Sequence, residues 1–500
     1  MSPPLRTSIL GLFTAIALVA PSAGAAPDEP APAQGRGPAG PPAGPEGDPL
    51  YVAGGLTADT VGTRAVATSY SAKASVEALR AAAARVDQAW VGFVPRLTGL
   101  ARYTRLSSFT PPAVFDTQGV NFVGTRALPG QPIDPTKVFP VPLSQGGFPI
   151  VVDNYTLQAT ITVPVSDYFL RIDQAHTAAT HATEAARQDV VAVRAKALTD
   201  GKLAYYTWMR ARGALVVAKQ ALADQVTHLT DAKNLFTAGR TSKADVLRAE
   251  TGVAGAELTV ERTRNLVELS EKQIRLAMHA PDTETLVPGE PLEAPLPPMT
   301  TALKDLEAEA SSSRPELKGI DANVEAVRQQ VKIAKALYLP QVGVVGNAIL
   351  ANPNPRRFPQ KEEFFPTWDV SAQLSWSPND ALLAGPAADE PGARLAQIEA
   401  QRGQLRDGIS LEIMQAHQAI READASIAAT AKQLASATEA YRVARELFNA
   451  GVVTSTTLTD AETELWRSRL EALNAMVDAR VARVRLDHAV GRDVAKLPGG

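Results

Sequence analysis

The pentapeptide Leu235-Phe236-Thr237-Ala238-Gly239 returns, with one substitution, as Leu447-Phe448-Asn449-Ala450-Gly451. Each copy stands between two long Ala-rich stretches of helical pattern. Glycine takes the left-handed backbone that ends a helix at little cost. Hydroxyl residues, which favour the cap of a following helix, come next at Thr241-Ser242 and Thr454-Ser455. Ala249-Glu250 and Ala461-Glu462 then keep the same spacing from their glycines. Two such turns predict two long helical hairpins, one in each half of an internally duplicated chain.

Prolines mark the other ends of these halves. Phe93-Val94-Pro95 closes a helical run from about 72 to 94, and Tyr338-Leu339-Pro340 closes one over about 315–338. A helix does not run through proline without losing a hydrogen bond. After each comes a strand-like segment (97–106 and 341–350), a Pro/Gly-rich loop and a second strand. In the second strands Tyr155, Leu157, Ala159, Ile161 and Val163 alternate with Asn154, Thr156, Gln158, Thr160 and Thr162. Trp368, Val370, Ala372, Leu374 and Trp376 alternate likewise with Asp369, Ser371, Gln373 and Ser375. Period-two alternation gives one apolar and one polar face. Strands of about ten residues suit a tilted transmembrane β-strand. A soluble sandwich strand would alternate equally, but the chain offers no further strands for a second sheet. Trp368 and Trp376 at the strand ends suit interfacial girdles.

Pro164 and Pro378 close the strand pairs. From there to the tip glycines is 75 residues in one half and 73 in the other, whereas the strand-pair segments, Pro95–Pro164 and Pro340–Pro378, span 69 and 38. The arms match and the loops vary, and loops are where insertions cost least. A helix over 166–236 would extend on the order of 100 Å. The return helix, about 242–279, covers little more than half of that. The 72–94 helix supplies the remainder if the two stack end to end, with the Pro-rich stretch 281–298 at their junction. The second half repeats the plan with 315–338, 392–448 and 455–490. Val246, Val253, Val260, Val267 and Ile274 recur every seven residues, each followed three positions later by Ala249, Ala256, Thr263, Ser270 or Ala277. A β-branched seam beside a small-residue seam predicts close coiled-coil packing.

Arg6, an apolar run over 9–20 and Ala23-Gly24-Ala25 read as a secretory signal peptide, 1–25, too short in its apolar part to span a bilayer. A Pro/Ala/Gly-rich leader occupies 26–50. The two repeats then cover 51–300 and 301–491, with a short tail at 492–500. No other apolar run is long enough for a transmembrane helix, so membrane entry requires β-structure. The absence of cysteine excludes disulfides and thiol chemistry, and a net charge of −3 offers no field for nucleic acid. No hydrolase, P-loop or zincin motif is present. His176 and His181, five apart, lie on different helix faces, so neither a metal ion nor a cofactor is expected. The chain reads as a non-enzyme.

Four strands cannot close a barrel, and open sheet edges are not tolerated in lipid, so identical copies must complete it. The duplicated Pro95 and Pro340 junctions, the Pro164 and Pro378 strand exits and the two Leu-Phe-x-Ala-Gly tips together resemble the TolC-like outer-membrane efflux protein (outer membrane factor) family over about 56–491. That resemblance implies a mostly α fold with membrane β: long antiparallel coiled-coil hairpins in an internal duplication, plus four transmembrane strands per chain. It further implies a homotrimer with a twelve-stranded barrel and an α-helical tunnel, set in the outer membrane lipid of a Gram-negative envelope and reaching into the periplasm. The implied role is a passive export duct of a tripartite efflux or type I secretion system. The duct would dock a periplasmic adaptor (membrane fusion) protein and, through it, an inner-membrane pump. Carried over by position, Gly239, Thr241, Ser242, Gly451 and Thr454 are the adaptor-docking tips, and Asp245 and Asp460 the periplasmic aperture. Thr457 replaces a second acid and Val453 a basic partner. Asp245 and Asp460 also fit as ordinary helix N-terminal acids. Gly385, Pro386 and Pro391 depart from the family and place the second long helix's start near Gly392. A periplasmic adaptor would carry one hairpin between compact β-domains, and a structural coiled-coil envelope protein would need no such strands. Whether drugs, metal ions, lipids or polypeptides pass is not written in these residues.

Overall fold

Single-residue breaks divide the helices in both halves the same way. Helix α1 (Ala58–Thr68, 11 residues) is separated from α2 (Tyr70–Val91, 22 residues) by Ser69 alone, and α6 (Leu303–Ser313, 11 residues) from α7 (Pro315–Lys335, 21 residues) by Arg314 alone. Ser69 ends one helix and caps the next, accepting from the Ala72 N–H at 3.2 Å. Arg314 is extended because Pro315 follows it. The short helices α1 and α6 add to the expected pattern, and their matching lengths extend the likeness between the halves. The computed structural model describes residues 51–108, 151–358 and 360–497. The signal-peptide and leader readings and the loop 109–150 lie outside the described residues.

After α2 come β1 (Arg96–Arg105) and β2 (Asp153–Val163), a short α3 (Val165–Asp167), one π turn (Tyr168–Ile172) and α4 (Asp173–Thr237). Then come α5 (Lys243–Met278), α6, α7, a 3₁₀ turn (Ala336–Tyr338), β3 (Gln341–Asn352), β4 (Phe365–Ser375), α8 (Pro378–Asn449) and α9 (Ser455–Val490). At 65 and 72 residues, α4 and α8 run about 100 and 110 Å. Both α2 and α5 lie along α4, and α7 and α9 along α8, while α4 also meets α7 and α9. The end-to-end arrangement read from helix lengths is therefore the observed one.

Its junction is the largest core. Leu286 and Leu292 of the Pro-rich stretch pack with Tyr205, Trp208 and Met209 from the middle of α4, Ile274 and Met278 from the end of α5, and Leu473 and Val477 of α9. The predicted seam is also present. Val246, Ala249, Val260, Ser270 and Ile274 are buried and Val253, Ala256, Thr263 and Val267 half-buried, while the opposite face of α5 is solvated. Gly252 sits where a Cβ would come within 2.4 Å of Gln225 Oε1, so the seam brings the α5 backbone close to α4.

One expectation fails. Helix α8 starts at Pro378, not near Gly392, and runs through Pro386 and Pro391. Pro378 occupies the first helical turn, where its missing N–H costs nothing, and Ser377 Oγ accepts from the Asp380 N–H at 3.4 Å. Each interior proline costs about 3 kcal/mol and frees one carbonyl. Packing overrides this: Ala384 and Ala388 are buried, and Gly385 lies against the Tyr338 hydroxyl of the preceding 3₁₀ turn.

Candidate functional site at the helical tips and the strand wall

Both pentapeptides close identically in the backbone. At the end of α4 the Arg240 N–H donates to Leu235 O and the Gly239 N–H to Phe236 O, each at 2.9 Å. At the end of α8, Val452 and Gly451 do the same to Leu447 and Phe448 at 2.9 Å. This double closure needs a left-handed residue, and Gly239 (φ +71°) and Gly451 (φ +75°) supply it.

The side chains then diverge. Ser242 caps α5 in a capping box: its Oγ accepts from the Asp245 N–H at 3.2 Å, and Asp245 Oδ2 accepts from the Ser242 N–H at 3.2 Å, Ser242 Oγ at 2.6 Å and Thr241 Oγ1 at 2.9 Å. Arg248 donates to the other oxygen at 3.0 Å. The Ser242 hydroxyl above all, then Thr241, the Ser242 N–H and Arg248, hold the Asp245 carboxyl below the usual carboxylate range. Counted from its glycine, Asp245 corresponds to Thr457, and Asp460 to Arg248. Thr454 makes no side-chain cap bond, Thr457 Oγ1 lies 3.3 Å from Thr454 Oγ1, and Val453 packs beside the buried Phe448 and Leu458. Asp460 is exposed and without a side-chain partner among the described residues. The two acids singled out by position are thus unlike: one is fully engaged in starting its helix, the other points to solvent.

The two tips are joined by contacts that span more than 200 residues of sequence. Arg240 Nη2 donates to Ala450 O at 2.5 Å, placing a cation at the carboxyl end of α8, where the helix dipole favours it. Deeper, His228 of α4 is 2 % exposed and meets Glu462 of α9, 6 % exposed, through Nδ1 at 3.0 Å. Gln225 donates to the same carboxylate oxygen at 2.8 Å, Ser455 Oγ lies 3.2 Å from His228 Nε2, and Glu462 Oε1 is left without a partner. The His228 ring also stands edge-on to Phe448 at 5.3 Å. The repeat marked Glu462 by its spacing from Gly451, but no sequence signal marked Arg240 or His228 or paired them with their partners, which lie in the other half of the chain.

At the opposite end the strands form one antiparallel sheet in the order β1-β2-β3-β4. The register puts Leu97, Ala101 and Tyr103 of β1 on one face with Leu157 and Ile161 of β2, Val344 and Leu350 of β3, and Trp368, Val370 and Leu374 of β4. That face is apolar across all four strands up to Arg105, Asp153 and Asn352 at its loop end, and it is open, with Trp368 77 % and Leu374 68 % exposed. Tyr103 and Tyr155 lie 5.0 Å apart, and Tyr155 and Phe364 6.1 Å apart, making an aromatic row at the loop end. On the other face a side-chain belt crosses three strands: Asn347 accepts from Thr160 Oγ1 (2.9 Å) and Gln158 Nε2 (3.2 Å) and donates to Asp369 Oδ2 (3.0 Å). Among the described residues β1 and β4 each have one unpaired edge. Also among them, no helix is long and apolar enough to cross a membrane and no cluster of His, Asp and Glu is arranged to hold a metal ion.

Several solved structures share this fold. The chain is similar to CusC (TM-score 0.71, 14% identity, covering 88% of this chain and 93% of that one), described in connection with transmembrane channel formation. It is similar to the outer membrane protein VceC of Vibrio cholerae (TM-score 0.68, 17% identity, 87% and 96% covered). The MtrE outer membrane channel of Neisseria gonorrhoeae compares equally (TM-score 0.66, 15% identity, 87% and 88% covered). No curated protein matches the sequence. The family described as outer membrane efflux protein matches residues 64–278 and 306–492, one stretch for each half and most of the chain together. The chain belongs to the outer membrane efflux protein family, whose members are channels and not enzymes.

Proposed function

We propose that this protein is the outer-membrane duct of a tripartite efflux or secretion assembly in a Gram-negative envelope, a passive conduit from periplasm to exterior. The observation that carries this is the sheet. A four-stranded sheet with one face apolar over most of its length and exposed, and with two edges unpaired among the described residues, is unstable alone in water or in lipid. Lipid covers the face, and the β1 edge of one copy pairs with the β4 edge of the next. Three copies then give twelve strands, within the range of membrane barrels. The belt of Gln158, Thr160, Asn347 and Asp369 faces the water-filled lumen, and the helical repeats, 51–300 and 301–491, extend it into the periplasm.

The tips at Gly239, Thr241, Ser242, Gly451 and Thr454 meet the periplasmic adaptor, which links the duct to an inner-membrane pump. Asp460 faces the aperture. Asp245 serves the aperture less directly, since its oxygens are already committed to Ser242, Thr241 and Arg248.

The test is assembly and conduction. The mature chain is expected in the outer-membrane fraction as a heat-modifiable trimer that conducts ions in planar bilayers. A detergent-independent soluble monomer would refute the reading. In the conducting trimer, Asp460→Asn is expected to change resting conductance and cation preference, and Asp245→Asn to change them less.

A further inference from the structure

The polar face of the sheet carries unpaired charge of one sign. Register sets Arg96 opposite Thr162 and Arg102 opposite Thr156, on the same face as the Gln158–Asn347 belt. Both arginines are exposed and have no side-chain partner among the described residues. The one acid on that face among the described residues, Asp369, is engaged on both oxygens, by Arg356 at 2.5 Å and Asn347 at 3.0 Å. β2 and β3 add no charge to it. Arg356 belongs to the β3–β4 loop and offsets Asp369, so two positive charges per copy are left uncompensated. The sequence of 109–150 does not alter the sign, because it holds Asp116 and Asp134 against Arg126 and Lys137.

We propose that Arg96 and Arg102 form two stacked cationic rings in the assembled barrel, and that they make its membrane section a filter favouring anionic solutes. This rests on the conduit reading. Three copies would place three guanidinium groups around the lumen at each level. Rings of Arg or Lys are how pores select anions and phosphates. The low-dielectric wall focuses their field into the lumen, where screening by salt weakens it over about 8 Å. Charge on an edge strand also discourages stray pairing. That role ends once the edge is paired, whereas the charges go on acting on ions in the lumen, and block by a charged probe reads only the second role.

The test uses the full-length channel in planar bilayers, with inositol hexakisphosphate added on the barrel side. Voltage-dependent block that weakens with salt is expected. Replacing both arginines (Arg96→Gln with Arg102→Gln) should weaken block about tenfold. Arg102→Lys, which keeps the charge, should retain it and serves as the control for folding and insertion. Block by hexaamminecobalt(III) from that side in place of the phosphate would overturn the proposal, and so would unchanged block in the double variant. A protein that inserts but passes no ions even with neither probe present refutes the conduit reading instead.

Discussion

The two tips share a backbone and differ in how side chains secure it. Leu235–Gly239 and Leu447–Gly451 make the same pair of hydrogen bonds around the same left-handed glycine. Yet Phe236 is 43 % exposed while Phe448 is 2 % exposed. The first tip begins its return helix with a complete capping box, and the second with a threonine that caps nothing. Five residues therefore suffice to fix the turn. The first residues of the return helix decide whether that turn is self-sufficient or leans on its neighbour. The second tip leans: Phe448, Ser455 and Glu462 are all held by residues of α4, and Arg240 reaches over to Ala450.

The largest effect should come from the deepest of these contacts. His228→Ala removes the partner of a buried carboxylate and leaves Glu462 with Gln225 as its sole donor. Uncompensated buried charge costs about 3 kcal/mol. Hydrogen exchange should detect this as easier opening of α9 near Ser455, with α5 near Ser242 changed far less. If both helices loosen equally, the second tip does not depend on α4 in this way. The double change His228→Leu with Glu462→Met, which removes both polar partners and keeps apolar volume, should recover most of the loss.

A smaller effect distinguishes the glycines. Alanine in the left-handed conformation costs about 1–2 kcal/mol, which applies to Gly239→Ala and Gly451→Ala alike. A Cβ at Gly239 meets nothing within 4 Å, whereas one at Gly451 would stand 2.9 Å from Arg240 Nη2. That guanidinium must swing aside and give up its bond to Ala450 O. Gly451→Ala should thus exceed Gly239→Ala by up to about 1 kcal/mol, one neutral-acceptor hydrogen bond. In an Arg240→Gln background the two should become equal, and a persisting gap would mean that the contact with Arg240 is not its cause.

Most of the architecture was legible because it is local. Helix ends arise from Gly239, Gly451, Pro95 and Pro340, the strand faces from period-two alternation, and the α5 seam from valines seven apart. The failure at Pro378–Pro391 has the opposite origin. Local chemistry said no helix, and burial of Ala384 and Ala388 beside the 336–338 turn reversed it. The site was half legible for the same reason. The tip residues are contiguous in sequence, but the His228–Glu462 pair joins residues 234 apart, and no spacing rule reaches that far. Position also suggested that Asp245 and Asp460 are a matched pair. Asp245 stands six residues after its glycine and Asp460 nine after its own, which sends one into a cap and the other into solvent.

The smallest effect belongs to that difference in register, and it tests the contrast between tips most directly. Asp245→Ala breaks the capping box and should cost about 1 kcal/mol, while its positional counterpart Thr457→Ala should cost a few tenths. The pH dependence has a definite sign. Hydrogen bonds from Ser242, Thr241 and the Ser242 N–H lower the Asp245 carboxyl in the folded chain, so its contribution is complete above the ordinary carboxylate range and is lost as pH falls through the folded value. Opening of α5 near Ser242 should therefore become easier in acid in the wild type, and Asp245→Ala should flatten that trend. At Ser455 the same titration should leave no trace of a cap, because Thr457 has no proton to gain. An acid response of α5 that is unchanged in Asp245→Ala would place the sensitivity elsewhere and rule out the capping box as its source.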